Sequence, residues 1–299
     1  MIKIDNITMH YGSIRSLHNV TATVHDGSIF GLIGSNGSGK STLLRILSGI
    51  IKPDTGTVTC DDRPVWENPA VKQEILYLSD EQFFLPHSTI NDMARLYQTV
   101  YPDFSEEVYK KLRDIFTLDC DRKINTFSKG MKKQASVLLA ISARPRYLLC
   151  DETFDGLDPV VRQLVKRILA EESAERGLTT IIASHNLREV EDICDTVGLL
   201  HKSDLLFVRE LDDMKSELHK VQAIFEGEFD ASILAPMKII GYSRRGSLVS
   251  FVARGTLDEI DAAMTEKAPT FYETVPLTLE EIFISEMEDR GYDFSKLDY

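Results

Sequence analysis

The chain is predicted to be α/β, with a mostly parallel sheet covered on both faces and a small α+β domain after it. Three observations carry that prediction. Residues 34–42, Gly34-Ser35-Asn36-Gly37-Ser38-Gly39-Lys40-Ser41-Thr42, have the spacing G-x-x-x-x-G-K-[ST] between an apolar run (28–33) and a helical run (43–47). Two uninterrupted apolar runs, 147–150 and 179–183, flank a helix read from 159 to about 176. Such a strand–helix–strand unit crosses over right-handedly and builds a parallel sheet. Near Lys215 the character changes, which sets expected domains at 1–215 and 216–299.

The remaining elements follow in chain order. Residues 2–9 and 20–24 alternate as strands do, with a turn at Asp26-Gly27. After residues 34–42 comes a helix ended by Gly49. The turn Pro53-Asp54-Thr55-Gly56 then leads into a strand at 57–60. A further strand at 75–78 precedes a mostly helical stretch from Thr89 to Ala143, read as a helical subdomain over about 86–143. In the tail, 221–225 and 247–252 read as strands, 257–264 and 279–287 as helices. No internal repeat is visible.

Composition narrows the class. An apolar fraction of 43% suits a full soluble core. No run of about 18 apolar residues marks a membrane span, and the N-terminus lacks a charged-then-apolar leader. Cys60, Cys120, Cys150 and Cys194 are scattered, so reduced interior thiols are expected rather than disulfides or zinc ligands. Net charge is −13, of which residues 212–299 contribute −9. That balance opposes binding to nucleic acid or to anionic lipid.

The motif at 34–42 has a clear chemistry. Its glycines let backbone N–H groups converge on phosphate oxygens at a helix N-terminus whose dipole favours an anion. Lys40 adds a point charge for the β- and γ-phosphates, and the Ser41 hydroxyl is placed to bind Mg²⁺. Asp151 and Glu152 end the apolar strand 147–150, at the sheet edge where α/β folds hold ligands. Asp151 is expected to hold Mg²⁺, directly or through water, and Glu152 to polarise the attacking water. His185, at the end of the 179–184 run, is placed to hydrogen-bond the γ-phosphate. The bland alternative is a structural histidine. Trp66 reads as packing, and the Lys132-Lys133 pair as a solvated helix face.

These residues together resemble the nucleotide-binding subunit of ABC transporters over roughly residues 1–210, and the tail resembles C-terminal extensions of exporter-type or multidrug-type members. Phe127-Ser128-Lys129-Gly130-Met131 stands where that family has its signature, commonly Leu-Ser-Gly-Gly-Gln. Gly156-Leu157-Asp158 matches the loop that touches the opposite subunit, and His185 matches the switch histidine. Tyr11 matches the aromatic that stacks on adenine. Asp80 stands where Gln is usual, and its carboxylate can ligate Mg²⁺ or its water. Lys129 and Met131 depart from Gly and Gln, while Ser128 and Gly130 keep the phosphate-facing pair. A simple N-cap is the alternative for Ser128. Leu279-Glu280-Glu281-Ile282-Phe283 fits a short element found near the ends of such chains.

The resemblance implies a P-loop ATPase with a RecA-like parallel core, an antiparallel β subdomain and a helical subdomain. It implies ATP and Mg²⁺ at the site, and two subunits sandwiching ATP as a homodimer or as a heterodimer with a related ATPase. It also implies a separate membrane-spanning partner, which places the chain in the cytoplasm on the inner face of the membrane and points to export. The other class considered is a soluble ABC-type ATPase acting on nucleic acid or ribosomes. Those chains usually carry a long coiled coil or two cassettes, and neither is present. A GTPase would need an N-K-x-D base-reading motif, which is absent.

Overall fold

The computed structural model describes residues 1–226, 235 and 237–289. Residues 227–234, 236 and 290–299 of the expected C-terminal domain lie outside the described residues. The chain divides into two compact units, Met1–Val208 and Arg209–Tyr299.

The first unit opens with β1 (Ile2–Tyr11) and β2 (Ile14–Val24), paired antiparallel. β3 (Ile29–Ile33), buried at every position, feeds the loop that opens α1 (Lys40–Leu47). β4 (Thr55–Cys60) returns to pair antiparallel with β1, and the short β5 (Arg63–Pro64) extends a four-stranded sheet of order β2-β1-β4-β5. One turn of helix, α2 (Pro69–Lys72), precedes β6 (Ile75–Leu78).

The expected helical stretch breaks into α3 (Ile90–Val100), α4 (Glu106–Phe116), a 3₁₀ turn at Ile124–Thr126 and α5 (Lys129–Ser142). The breaks have local causes. Tyr101 stands before Pro102 and is extended, as a residue before proline prefers. Thr117 turns left-handed (φ 52) and ends α4. Then follow β7 (Tyr147–Asp151), α6 (Pro159–Arg176), β8 (Thr179–Ser184), α7 (Leu187–Glu191), β9 (Thr196–His201) and β10 (Asp204–Glu210).

The six-stranded sheet has the order β10-β9-β3-β8-β7-β6, and β3, β6, β7, β8 and β9 pair in parallel. Because β8 lies between β3 and β7, the carboxyl ends of three strands distant in sequence meet at one edge. The register is specific: Ile33 pairs with Ser184, and Asp151 pairs with Ala183. A continuous core joins Ile2, Ile7, Leu17 and Val20 of the antiparallel sheet to Leu44, Leu149 and Ile181. That core holds the phosphate-loop helix rigidly against β7 and β8.

The second unit contains α8 (Leu211–Glu217), β11 (Leu218–Ile224), β12 (Lys238–Arg245), β13 (Leu248–Arg254), α9 (Leu257–Lys267), β14 (Phe271–Val275) and α10 (Leu279–Asp289). Its antiparallel sheet runs β12-β13-β11-β14 and has its own core of Val221, Ala223, Val249, Phe251, Ala253, Ile260 and Met264. Arg254 bridges Glu217 (3.3 Å) and Glu286 (2.6 Å), tying α8 and α10 to β13.

All four cysteines are free and buried, and none of the described helices is long and apolar enough to cross a membrane. Leu149 is fully buried in the centre of β7. Leu149→Ala is therefore expected to lower stability by about 2–5 kcal/mol through lost transfer energy and the cavity left behind. Urea unfolding followed by far-UV circular dichroism measures this; a midpoint indistinguishable from the native one would contradict the assigned core.

Candidate functional site

The N-terminus of α1 differs from the other long helices of this unit. Helices α3, α4, α5 and α6 are capped by Thr89, Ser105, Ser128 and Asp158, whose side chains accept first-turn N–H groups. Helix α1 begins after Gly39 with no side-chain cap and no acid in its first turn. Its free N–H groups and positive dipole end are left for an external anion. Gly39 is required here: φ is 110°, and a Cβ would stand 2.4 Å from the Ser16 carbonyl. The buried Ser38 hydroxyl also lacks a hydrogen-bond partner. An unpaired buried donor beside an uncapped helix is the environment a phosphate oxygen satisfies.

A cleft of about 410 Å³ opens at this point, lined by Asn36, Gly37, Gly39, Lys40, Ser41 and Thr42 of the loop together with Ser16, Asp80 and Glu152. Gly34 and Ser35 form its base by accepting hydrogen bonds from Lys40 Nζ, at 2.7 and 3.3 Å. Lys40 is 5% exposed, and its ammonium also lies 3.5 Å from Glu152 Oε1. The other carboxylate oxygen of Glu152 is 2.9 Å from His185 Nδ1. Loop, acid and histidine therefore converge although they come from β3, β7 and β8.

Behind the loop, Ser41 donates to Asp151 Oδ1 at 3.0 Å, and the Tyr77 hydroxyl donates to Asp151 Oδ2 at 2.8 Å. Asp151 is 2% exposed, so both oxygens are oriented by these partners. Burial, reinforced by the carboxylate it serves, pushes the Tyr77 phenol far above its ordinary range and keeps it a donor. Tyr77 in turn raises the pKa of Arg45, one turn along α1 from Ser41. A hydroxyl and a carboxylate oxygen side by side are hard donors of the kind Mg²⁺ takes, so the residues fit that ion. When bound, Mg²⁺ would supply charge neutralisation to phosphate oxygens.

Other expected residues sit elsewhere. Tyr11 is 46% exposed at the end of β1 and does not line the cleft. Ser128 and Gly130 also lie outside it. Ser128 caps α5, its hydroxyl accepting from the Met131 N–H at 3.2 Å. A Cβ on Gly130 would meet the Gly156 carbonyl at 3.1 Å, so the start of α5 packs on the loop after Glu152. Lys129 reaches Asp155 at 3.3 Å and holds that carboxyl below its usual range. Gln82 turns its amide onto the carbonyls of Ser79 and Asp80.

One expectation is corrected. Lys132 and Lys133 were expected on a solvated helix face, but Lys133 is 1% exposed. Its ammonium donates to the Glu152 carbonyl at 2.5 Å and to Asp80 Oδ1 at 3.1 Å. A signal was present in the sequence: Lys133 shares the helical stripe of Val137, Ala140 and Ile141, all buried. Ser16 and Tyr77 carry no motif, and only the fold reveals them.

The family model described as ABC transporter matches residues 17–155. The ABC transporter ATP-binding protein YtrB of Bacillus subtilis is 32% identical over 285 residues, covering 95% of this chain and 97% of that protein. The lantibiotic transport ATP-binding protein SrtF of Streptococcus pyogenes is 28% identical, covering 76% and 99%. A solved ATP-binding subunit of an ABC transporter superposes with a TM-score of 0.67 at 26% identity, covering 72% of this chain and 92% of that one.

Lys40→Ala removes the buried ammonium from the loop. ATP affinity is expected to fall at least about tenfold, in line with the loss of a charge-assisted hydrogen bond. Equilibrium titration with a fluorescent ATP analogue measures it, and unchanged affinity would contradict the assignment of this cleft.

Proposed function

The chain belongs to the ATP-binding proteins of ABC transporters, and on that premise we propose that it is the ATPase subunit of an exporter. It dimerises around ATP and drives a separate membrane-spanning chain from the cytoplasmic face of the membrane. The observation that carries this reading is the division of the site. The loop and Glu152 line one cleft, with Asp151 hydrogen-bonded to Ser41 and His185 to Glu152 behind that lining, while Ser128 and Gly130 are not among its lining residues and stand at the start of another helix. A single copy grips a triphosphate from one side only. A second copy, or a related ATPase, brings its own Ser128 and Gly130 to the opposite side of the γ-phosphate.

Each residue then has a role set by its surroundings. Asn36, Gly37, Ser38 and Gly39 present N–H and hydroxyl donors to the phosphates, and Lys40 adds charge. Ser41 and Asp151 would hold Mg²⁺, with Asp80 at the cleft edge. Glu152 accepts a proton from the attacking water, and His185 orients that water and the γ-phosphate. Tyr11, exposed at the end of β1, offers a flat face to adenine. Closure then depends on the triphosphate, and opening depends on its hydrolysis.

Support for the membrane partner comes from the surface. Phe83 is 79% exposed, and Leu85, Leu96 and Val100 are exposed with it around the helical subdomain. These exposed apolar side chains, on the segment that follows Asp80 and on α3, are available to a partner element whose motion follows the nucleotide. SrtF is named for lantibiotic transport; export is our reading of the direction here, with the second unit as an accessory domain.

Glu152→Gln keeps the shape of the site but removes the base. It is expected to bind ATP, to accumulate as a dimer on size-exclusion chromatography with ATP, and to hydrolyse ATP at least about 10²-fold more slowly. A native rate would refute the role of Glu152. In a second test, the tagged chain is recovered from detergent-solubilised membranes: a polytopic protein should copurify, and recovery of ribosomes or DNA instead would overturn the transporter reading.

A further inference from the structure

Glu152 is held by its backbone as well as by its carboxylate. It is left-handed, with φ 47, a conformation costing a non-glycine residue about 1 kcal/mol or more. Two contacts impose it. The Glu152 N–H donates to the Ala183 carbonyl of β8 at 3.0 Å, and the Glu152 carbonyl accepts from Lys133 Nζ at 2.5 Å. Lys133 is also 3.1 Å from Asp80, a carboxylate that lines the nucleotide cleft. A buried ammonium is tolerated only when partnered, and both of these partners are groups of the site.

We propose that Lys133 is a positioning residue that couples α5 to the hydrolytic machinery of its own chain. It sets the peptide plane after Glu152, which fixes where the Glu152 carboxylate stands, and it neutralises Asp80 at the mouth of the cleft. The proposal rests on the roles of Glu152 and Ser128 given above. Ser128 and Lys133 sit five residues apart on the N-terminal part of α5. A shift of that helix on meeting a partner's nucleotide is therefore transmitted within the same helix to Glu152. In this way each half of the dimer reports its neighbour's occupancy to its own water-activating group.

The two contacts separate experimentally. Lys133→Met keeps an unbranched side chain, one atom shorter, but loses the charge and the donor. It leaves Asp80 unpaired facing the triphosphate, so KM for ATP is expected to rise severalfold through like-charge repulsion. It also frees the Glu152 carbonyl, so kcat is expected to fall at least about tenfold. Adding Asp80→Asn removes the stranded charge: KM should fall severalfold below that of Lys133→Met while kcat stays as low as in Lys133→Met. Should Lys133→Met fail to fold by thermal melting, Lys133→Leu, which likewise lacks the charge and the donor, is expected to give the same split. Native kcat in Lys133→Met/Asp80→Asn, or in Lys133→Leu, overturns the proposal. Absence of ATP hydrolysis by the unmodified chain would instead overturn the reading of the site on which it rests.

Discussion

An uncompensated helix dipole governs the N-terminal unit. Helix α1 ends in free N–H groups with no capping side chain. The first turn of α1 is therefore incomplete until an anion arrives. The parallel sheet serves to hold that helix end still and to bring other groups to it. With β8 inserted between β3 and β7, the tips of three strands are adjacent. The loop, the Asp151-Glu152 pair and His185 are thus delivered to one place by register rather than by proximity in sequence.

The cleft is also a balance of opposite charges, held before any nucleotide enters. Lys40 lies between two loop carbonyls and Glu152, and Lys133 lies between Asp80 and the Glu152 carbonyl. Each ammonium is buried and each is spent on groups of the site. Glu152 is contacted by Lys40, Lys133, His185 and Ala183, which over-determines its strained backbone. Such over-determination lets a residue hold a costly conformation, and it ties the orientation of Glu152 to the elements around it.

Much of this was legible in the sequence, for local reasons. Residues 34–42 carry a motif whose chemistry depends on consecutive backbone groups, so spacing alone reveals it. Asp151, Glu152 and His185 were readable because each ends an uninterrupted apolar strand. Lys133 was not, because its burial depends on partners 53 and 19 positions away. A charged pair such as Lys132-Lys133 reads as surface until the phase of α5 is counted. β12 was equally hidden, since Gly241, Arg244 and Arg245 blur its alternation, and β14 is only five residues long.

The four sealed cysteines have a practical consequence. Burial pushes the thiols of Cys60 and Cys150 up to about 12, so almost none of either is thiolate at neutral pH. Cys120 and Cys194 are raised in the same direction by the same cause. A maleimide dye thus has little native chemistry to compete with. A single cysteine introduced on an exposed helix face can be labelled selectively in the otherwise unaltered chain, which suits the subunit to distance measurements across its working cycle.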